Sequence, residues 1–114
     1  MKKYIFLIVV SISILCCHKD QSLLVNDVPE WLKNNISALE QQIKTDPGTI
    51  VAYTAWVRYE WENDYYFEYL NYSSSFKTGP TSRDGQILSI TDPIYINYEN
   101  EKCCQEYVWK GPRF

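Results

Sequence analysis

Tyr4 to Leu15 is an apolar run interrupted only by Ser11 and Ser13, and it gives way to the polar residues His18-Lys19-Asp20-Gln21. A membrane-spanning helix needs about 20 apolar residues. This run is too short, and behind the positive start Met1-Lys2-Lys3 it fits a secretion signal. After one small apolar patch, Leu23-Leu24-Val25, the segment Asp27-Val28-Pro29-Glu30 reads as a helix start. Asp27 serves as N-cap, Pro29 is tolerated in the first turn, and Glu30 follows as in a capping box. Leu32, Ile36, Leu39 and Ile43 then recur at steps of four, three and four. They make one apolar helical stripe, which Asp46-Pro47-Gly48 ends by forcing the chain out of the α region.

From Thr49 the period changes to two. Val51, Tyr53, Ala55, Val57, Tyr59 and Trp61 share one face, and Thr54, Arg58 and Glu60 fall on the other. That alternation predicts a half-buried strand with Tyr59 and Trp61 packed against Leu32, Ile36 and Leu39, and with Trp56 exposed on the free face. Asn63-Asp64 offers turn chemistry, and Tyr65 to Tyr72 is a second aromatic strand, so a hairpin is expected. Ser73 to Gly85 reads as a loop. Shorter apolar runs at Gln86–Ile90, Ile94–Tyr98 and Cys103–Trp109 read as further strands. The expected fold class is α+β, an N-terminal amphipathic helix packed on an antiparallel meander sheet of four to five strands. In element order this layout is similar to cystatin-like and other small helix-on-sheet domains.

Where the apolar run ends, Ile14-Leu15-Cys16-Cys17 resembles the lipobox of bacterial lipoproteins, in which an apolar residue and a small residue precede the cysteine that receives lipid. The resemblance covers the first seventeen residues. Side-chain size selects Cys17, because the small Cys16 then precedes the cut and Ile14 takes the apolar position; Cys16 is the alternative, with bulky Leu15 before it. The resemblance implies a bacterial cell-envelope protein held in the membrane by its N-terminal lipid. Lys19-Asp20 looks like a short form of the signals that send some lipoproteins to the outer membrane or its surface. The implied division is a signal peptide over 1–16, a lipidated N-terminus and tether over 17–28, and a single domain over 29–114.

Composition narrows the functional classes. The chain of 114 residues is 46% hydrophobic and 22% charged, as globular domains are. Its net charge is −3, and loss of Lys2 and Lys3 leaves nine basic against fourteen acidic residues, or −5. An acidic domain is a poor nucleic-acid binder. His18 is the only histidine and sits beside the proposed anchor, whereas catalytic triads and zinc sites need several ligands on a rigid scaffold. No catalytic constellation, metal cluster or cofactor motif is legible.

Three groups of residues stand as candidates. Tyr and Trp, ten and four in number, concentrate between Tyr53 and Tyr72 and are the residues that carry interfaces and stack on sugars. Trp56, Tyr66 and Tyr72 are accordingly the candidate binding residues, for a protein or glycan partner. Glu60, Glu62, Asp64 and Glu68 gather around the hairpin, where a pair facing each other across a cleft would support glycan chemistry and a convex tip would not. Cys103 and Cys104 form the remaining pair. Neighbours in a strand point to opposite faces and are closer than a disulfide prefers, so unbridged thiols are the first reading. A strained vicinal disulfide with redox or ligand-contacting character is the second, and an intermolecular bridge the third. The function read from these residues is a lipid-anchored, non-catalytic binding or inhibitor-like module, with a carboxylate glycan enzyme or a structural envelope lipoprotein as alternatives.

The anchor is tested by the intact mass of the protein extracted from membranes. Residues 1–16 should be missing and Cys17 should carry acyl mass; a soluble protein without acyl mass contradicts the assignment.

Overall fold

A computed structural model describes residues 23–74 and 77–114. The expected signal segment, Cys16, Cys17, His18 and Lys19-Asp20 lie outside the described residues. The fold is α+β, with two helices and a four-stranded antiparallel sheet among those residues. In chain order they are helix α1 (Glu30–Thr45), a 3₁₀ turn (Ile50–Tyr53), β1 (Ala55–Trp61), β2 (Asp64–Leu70), β3 (Thr81–Ser82), helix α2 (Ile94–Glu101) and β4 (Cys103–Lys110). The sheet order is β3-β2-β1-β4, so the last strand returns to pair with the first and the sheet is not a simple meander. No described helix is long and apolar enough to cross a membrane.

Helix α1 begins one residue after Pro29 and ends before Asp46. Its stripe is the one the sequence spells out: Leu32 and Ile36 are buried, and Leu39 and Ile43 pack against the same core. Asp27 does not cap it. That residue has a positive φ of 63°, and its carboxylate accepts from Arg83 Nη1 at 3.2 Å instead.

The face beneath α1 is the reverse of the expected one. The core against Leu32 and Ile36 contains Trp56, Phe67, Val108 and Trp109, and Trp56, expected on the free face, is only 8% exposed. Its indole N–H donates to Asn35 on α1, and its ring meets Trp31 edge-on. Tyr53, expected in the core, is 45% exposed. Trp61 is buried as expected, but on the other side of the sheet, where α2 covers it. Its ring meets Tyr98 at 5.5 Å and its N–H donates to Glu101.

The reversal has a physical cause in Arg58. Polar alternation puts it toward water, yet it is 6% exposed. Nη2 donates to Glu106 Oε1, Nη1 donates to the Asn26 carbonyl at 2.8 Å, and the guanidinium lies 4.0 Å over the Tyr65 ring. A buried guanidinium is tolerable when it is paired and hydrogen-bonded in this way. With both sheet faces covered, Ala55 to Arg58 are all buried, and the alternation no longer tells inside from outside.

Two other expectations change. The hairpin turn is Glu62-Asn63, one residue earlier than expected, with Trp61 paired to Asp64. Both turn residues have positive φ, 52° and 64°, as a type I′ turn requires. Ile94–Tyr98 is helical: Asp92 Oδ1 accepts from the Ile94 N–H, and the Asp92-Pro93 pair starts α2. Of Gln86–Ile90, only Ile87 forms an isolated bridge, to Thr81. This connection packs closely, since a Cβ on Gly79 would lie 1.6 Å from the Leu88 carbonyl oxygen.

Trp56→Ala should therefore cost about 3 to 5 kcal/mol and lower the melting temperature by roughly 12 °C or more, whereas Tyr53→Ala should change stability by under about 0.5 kcal/mol. Thermal denaturation followed by circular dichroism checks both, and the opposite ranking would restore the expected face assignment.

Candidate functional site

The proposed binding residues do not converge. Trp56 is core on the α1 side. Tyr66 is half-buried on the α2 side, in a three-ring cluster with Trp61 and Tyr98 whose centroids are 5.5 to 5.6 Å apart. Tyr72 alone is fully presented, at 77% exposure. Its ring stacks on Phe114 at 5.7 Å, and Phe114 in turn meets the edge of Tyr107.

Tyr72 borders a cleft of about 460 Å³ beyond the end of β2, lined also by Glu68, Asn71, Lys77 and Thr78. Glu68 belongs to an ion network that ties α2 to the sheet. Lys102 Nζ donates to Glu68 Oε2 at 2.9 Å and to Glu99 Oε2 at 3.2 Å. The Tyr98 hydroxyl donates to Glu68 and the Tyr95 hydroxyl to Glu99, each at 2.7 Å. The ammonium also sits 4.2 Å over the Tyr59 ring, and Lys77 lies 3.9 Å from Glu99.

Electrostatics follow from this packing. Burial alone would raise the Glu99 carboxyl, but the Tyr95 hydroxyl and the Lys102 and Lys77 charges outweigh it and hold it below the ordinary carboxylate range. Burial alone would lower Lys102, and the Glu68 and Glu99 carboxylates reverse that and raise it. Burial, reinforced by the hydrogen bond to Glu68, raises Tyr98 far above an ordinary phenol. Glu68 and Glu99 thus form a carboxylate pair, but one clamped by an ammonium. A glycosidase acid must hold a proton near neutral pH, and Glu99 is shifted the opposite way.

The sequence-chosen carboxylates are dispersed. Glu60 shares the α1 face with Arg58, while Glu68 lies on the α2 face opposite Val57. Glu62 and Asp64 are exposed at the hairpin end, where Asp64 pairs with Arg83 at 3.3 Å. Glu99, Lys102 and Tyr98 escaped sequence reasoning because α2 reads as a strand. The Asp-Pro start and the i,i+4 pair Tyr95–Glu99 were the available signals.

Where β4 begins, Cys103 is bonded to Cys104, with Cα atoms 3.7 Å apart, not left as the unbridged pair that strand alternation favours. Alternation fails because β4 bulges. Glu106 pairs with Arg58 and Cys103 with Glu60, so two β4 residues face the single Tyr59 between them. Cys104 takes a positive φ of 68°, as bulges allow. Both cysteines are exposed, and a Glu60 carboxylate oxygen and the two sulfurs lie within 4.8 Å of one another. This is a set of three potential metal-ligand groups in a sequence where no metal cluster is legible.

No family model matches the chain, and no curated protein or solved structure matches it. Function is therefore argued from the residues themselves.

Lys102→Met should lower stability at pH 7 by roughly 2 to 3 kcal/mol, the scale of lost charged hydrogen bonds. Because the folded pKa of Glu99 is depressed, its contribution is present above the ordinary value of 4.5 and fades as pH falls through the folded pKa. Because that of Lys102 is raised, its contribution is complete below the ordinary 10.5 and fades as pH rises through the folded pKa. The gap between variant and wild type should be widest between those limits and narrow on both sides in urea titrations at several pH values. A constant gap would contradict the network's ionic character.

Proposed function

We propose that the chain is a lipid-anchored bacterial envelope protein, resident in the outer membrane, whose domain is a non-catalytic binding module for an envelope glycan. The supporting observation is the cleft beyond β2, which joins the exposed Tyr72 ring to the amide of Asn71, the hydroxyl of Thr78 and the ammonium of Lys77. A sugar ring presents an apolar face flanked by hydroxyls, and an aromatic platform with polar groups around it matches both. Phe114 behind Tyr72 presets the ring, so little conformational freedom is lost on binding.

Hydrolysis is the less supported alternative. The carboxylates nearest the cleft are held by Lys102, and Glu60 stands on the other face of the sheet. A module that holds a ligand without transforming it needs neither a free acid nor a base.

Soluble peptidoglycan fragments, titrated into the acylated protein in detergent by calorimetry, provide the test. Binding is expected without any change in the mass of the fragments. Tyr72→Ala should weaken it at least tenfold, about 1.4 kcal/mol, with the melting temperature nearly unchanged. Absence of binding, or equal binding by the variant, would remove the glycan assignment, and cleavage of the fragments would replace it with the enzyme reading.

A further inference from the structure

We propose that Glu60, Cys103 and Cys104 form a redox-gated site for a thiophilic divalent cation, closed while the two sulfurs are bonded and opened by a dithiol reductant. The site lies on a different strand pair from the Tyr72 cleft and does not depend on what that cleft binds.

Strand register brings the three side chains together. Glu60 is the cross-strand partner of Cys103, which puts the carboxylate and the first sulfur on one face. In a regular strand Cys104 would point away. The bulge and the positive φ of Cys104 undo that alternation, and the second sulfur stays within 4.8 Å of the other two ligand groups. All three residues are exposed, so an aqueous ion reaches them without any opening of the fold.

The neighbouring cations are already committed. Arg58 is bonded to Glu106 and the Asn26 carbonyl, and Lys102 turns its ammonium to Glu68 and Glu99 on the other side of the sheet. Neither is free to neutralise the Glu60 carboxylate or a thiolate. Two thiolates and one carboxylate are a donor set that zinc and softer ions of the same charge prefer, and three protein ligands leave a fourth position for water or a further ligand.

Disulfide sulfurs are poor ligands; thiolates bind. A dithiol's thiolate attacks one of the two sulfurs, the Cys103–Cys104 bond breaks, and its electron pair leaves on the other cysteine, which takes up a proton. The reductant's second thiol then attacks the mixed disulfide and releases the first cysteine. Two electrons and two protons pass to the pair, and the reductant leaves as its own disulfide. A divalent cation then displaces the two thiol protons as it binds.

The test uses the acylated mature protein, reduced with dithiothreitol, desalted without oxygen and titrated with Cd²⁺. The reduced protein should bind one equivalent, release two protons and develop a thiolate-to-cadmium absorption band, and the oxidised protein should do none of these. Cys103→Ser/Cys104→Ser should abolish the band. Glu60→Gln should weaken binding by roughly tenfold or more, a scale reached even by outer-shell changes. Should the serine variant fail to fold, alkylating the reduced wild-type protein blocks the same thiols without substitution and should also abolish binding. The proposal is overturned if reduced protein binds no Cd²⁺, if oxidised or alkylated protein binds it equally, or if Glu60→Gln leaves the affinity unchanged.

Discussion

Strand β1 has to satisfy two apolar layers at once. Trp56 on one face supports α1, and Val57 and Trp61 on the other lie beneath α2. Four consecutive residues, Ala55 to Arg58, are buried in consequence, a pattern more usual in central strands of sheets covered on both sides than in a small antiparallel sheet. The rest of the fold follows from this demand. Glu106 must stand opposite Arg58 to neutralise a charge that has nowhere else to go. The chain between β2 and β4 must be long enough to supply a second helix. Segment 23–28 must fold back so that the Asn26 carbonyl accepts from the guanidinium's Nη1, which leaves the buried Nε without a hydrogen-bond partner among the described residues.

The same constraint separates what the sequence discloses from what it conceals. Helix α1 was legible because only one of its faces is buried, so Leu32, Ile36, Leu39 and Ile43 stand out against polar neighbours. The first hairpin was legible to within one residue, since aromatic alternation marks both strands. The side of the sheet on which α1 lies was not. Arg58 and Glu60 mark a polar face, and the partner that makes Arg58 an interior residue is Glu106, 48 positions further on. Helix α2 was hidden because Ile94, Tyr95, Ile96 and Tyr98 have strand character, and its stabilising pairs Glu68–Lys102 and Glu68–Tyr98 are non-local.

Sites followed the same rule. Of the three aromatic candidates Tyr72 is the exposed one, its ring stacked on Phe114, whereas Trp56 was drawn into the core and Tyr66 into the half-buried ring cluster by contacts that local spacing does not reveal. The cysteine pair was visible in the sequence but its geometry was not, because a bulge is a property of two strands in register. Only the pairings of Arg58 with Glu106 and of Glu60 with Cys103 disclose the additional residue between them.

The Leu24 N–H donates to the Val108 carbonyl at 2.9 Å, which fastens the segment leading into the domain to the edge strand β4. If the acyl chains are on Cys17, as proposed, the seven chain steps from Cys17 to Leu24 can span at most roughly 25 Å. The domain would then ride against the lipid headgroups with little freedom to range outward, and a ligand would have to come to the membrane to be captured. Any tension transmitted from the lipid would enter the sheet at Val108, one strand away from Trp56, so the anchoring point and the central core would share a mechanical path.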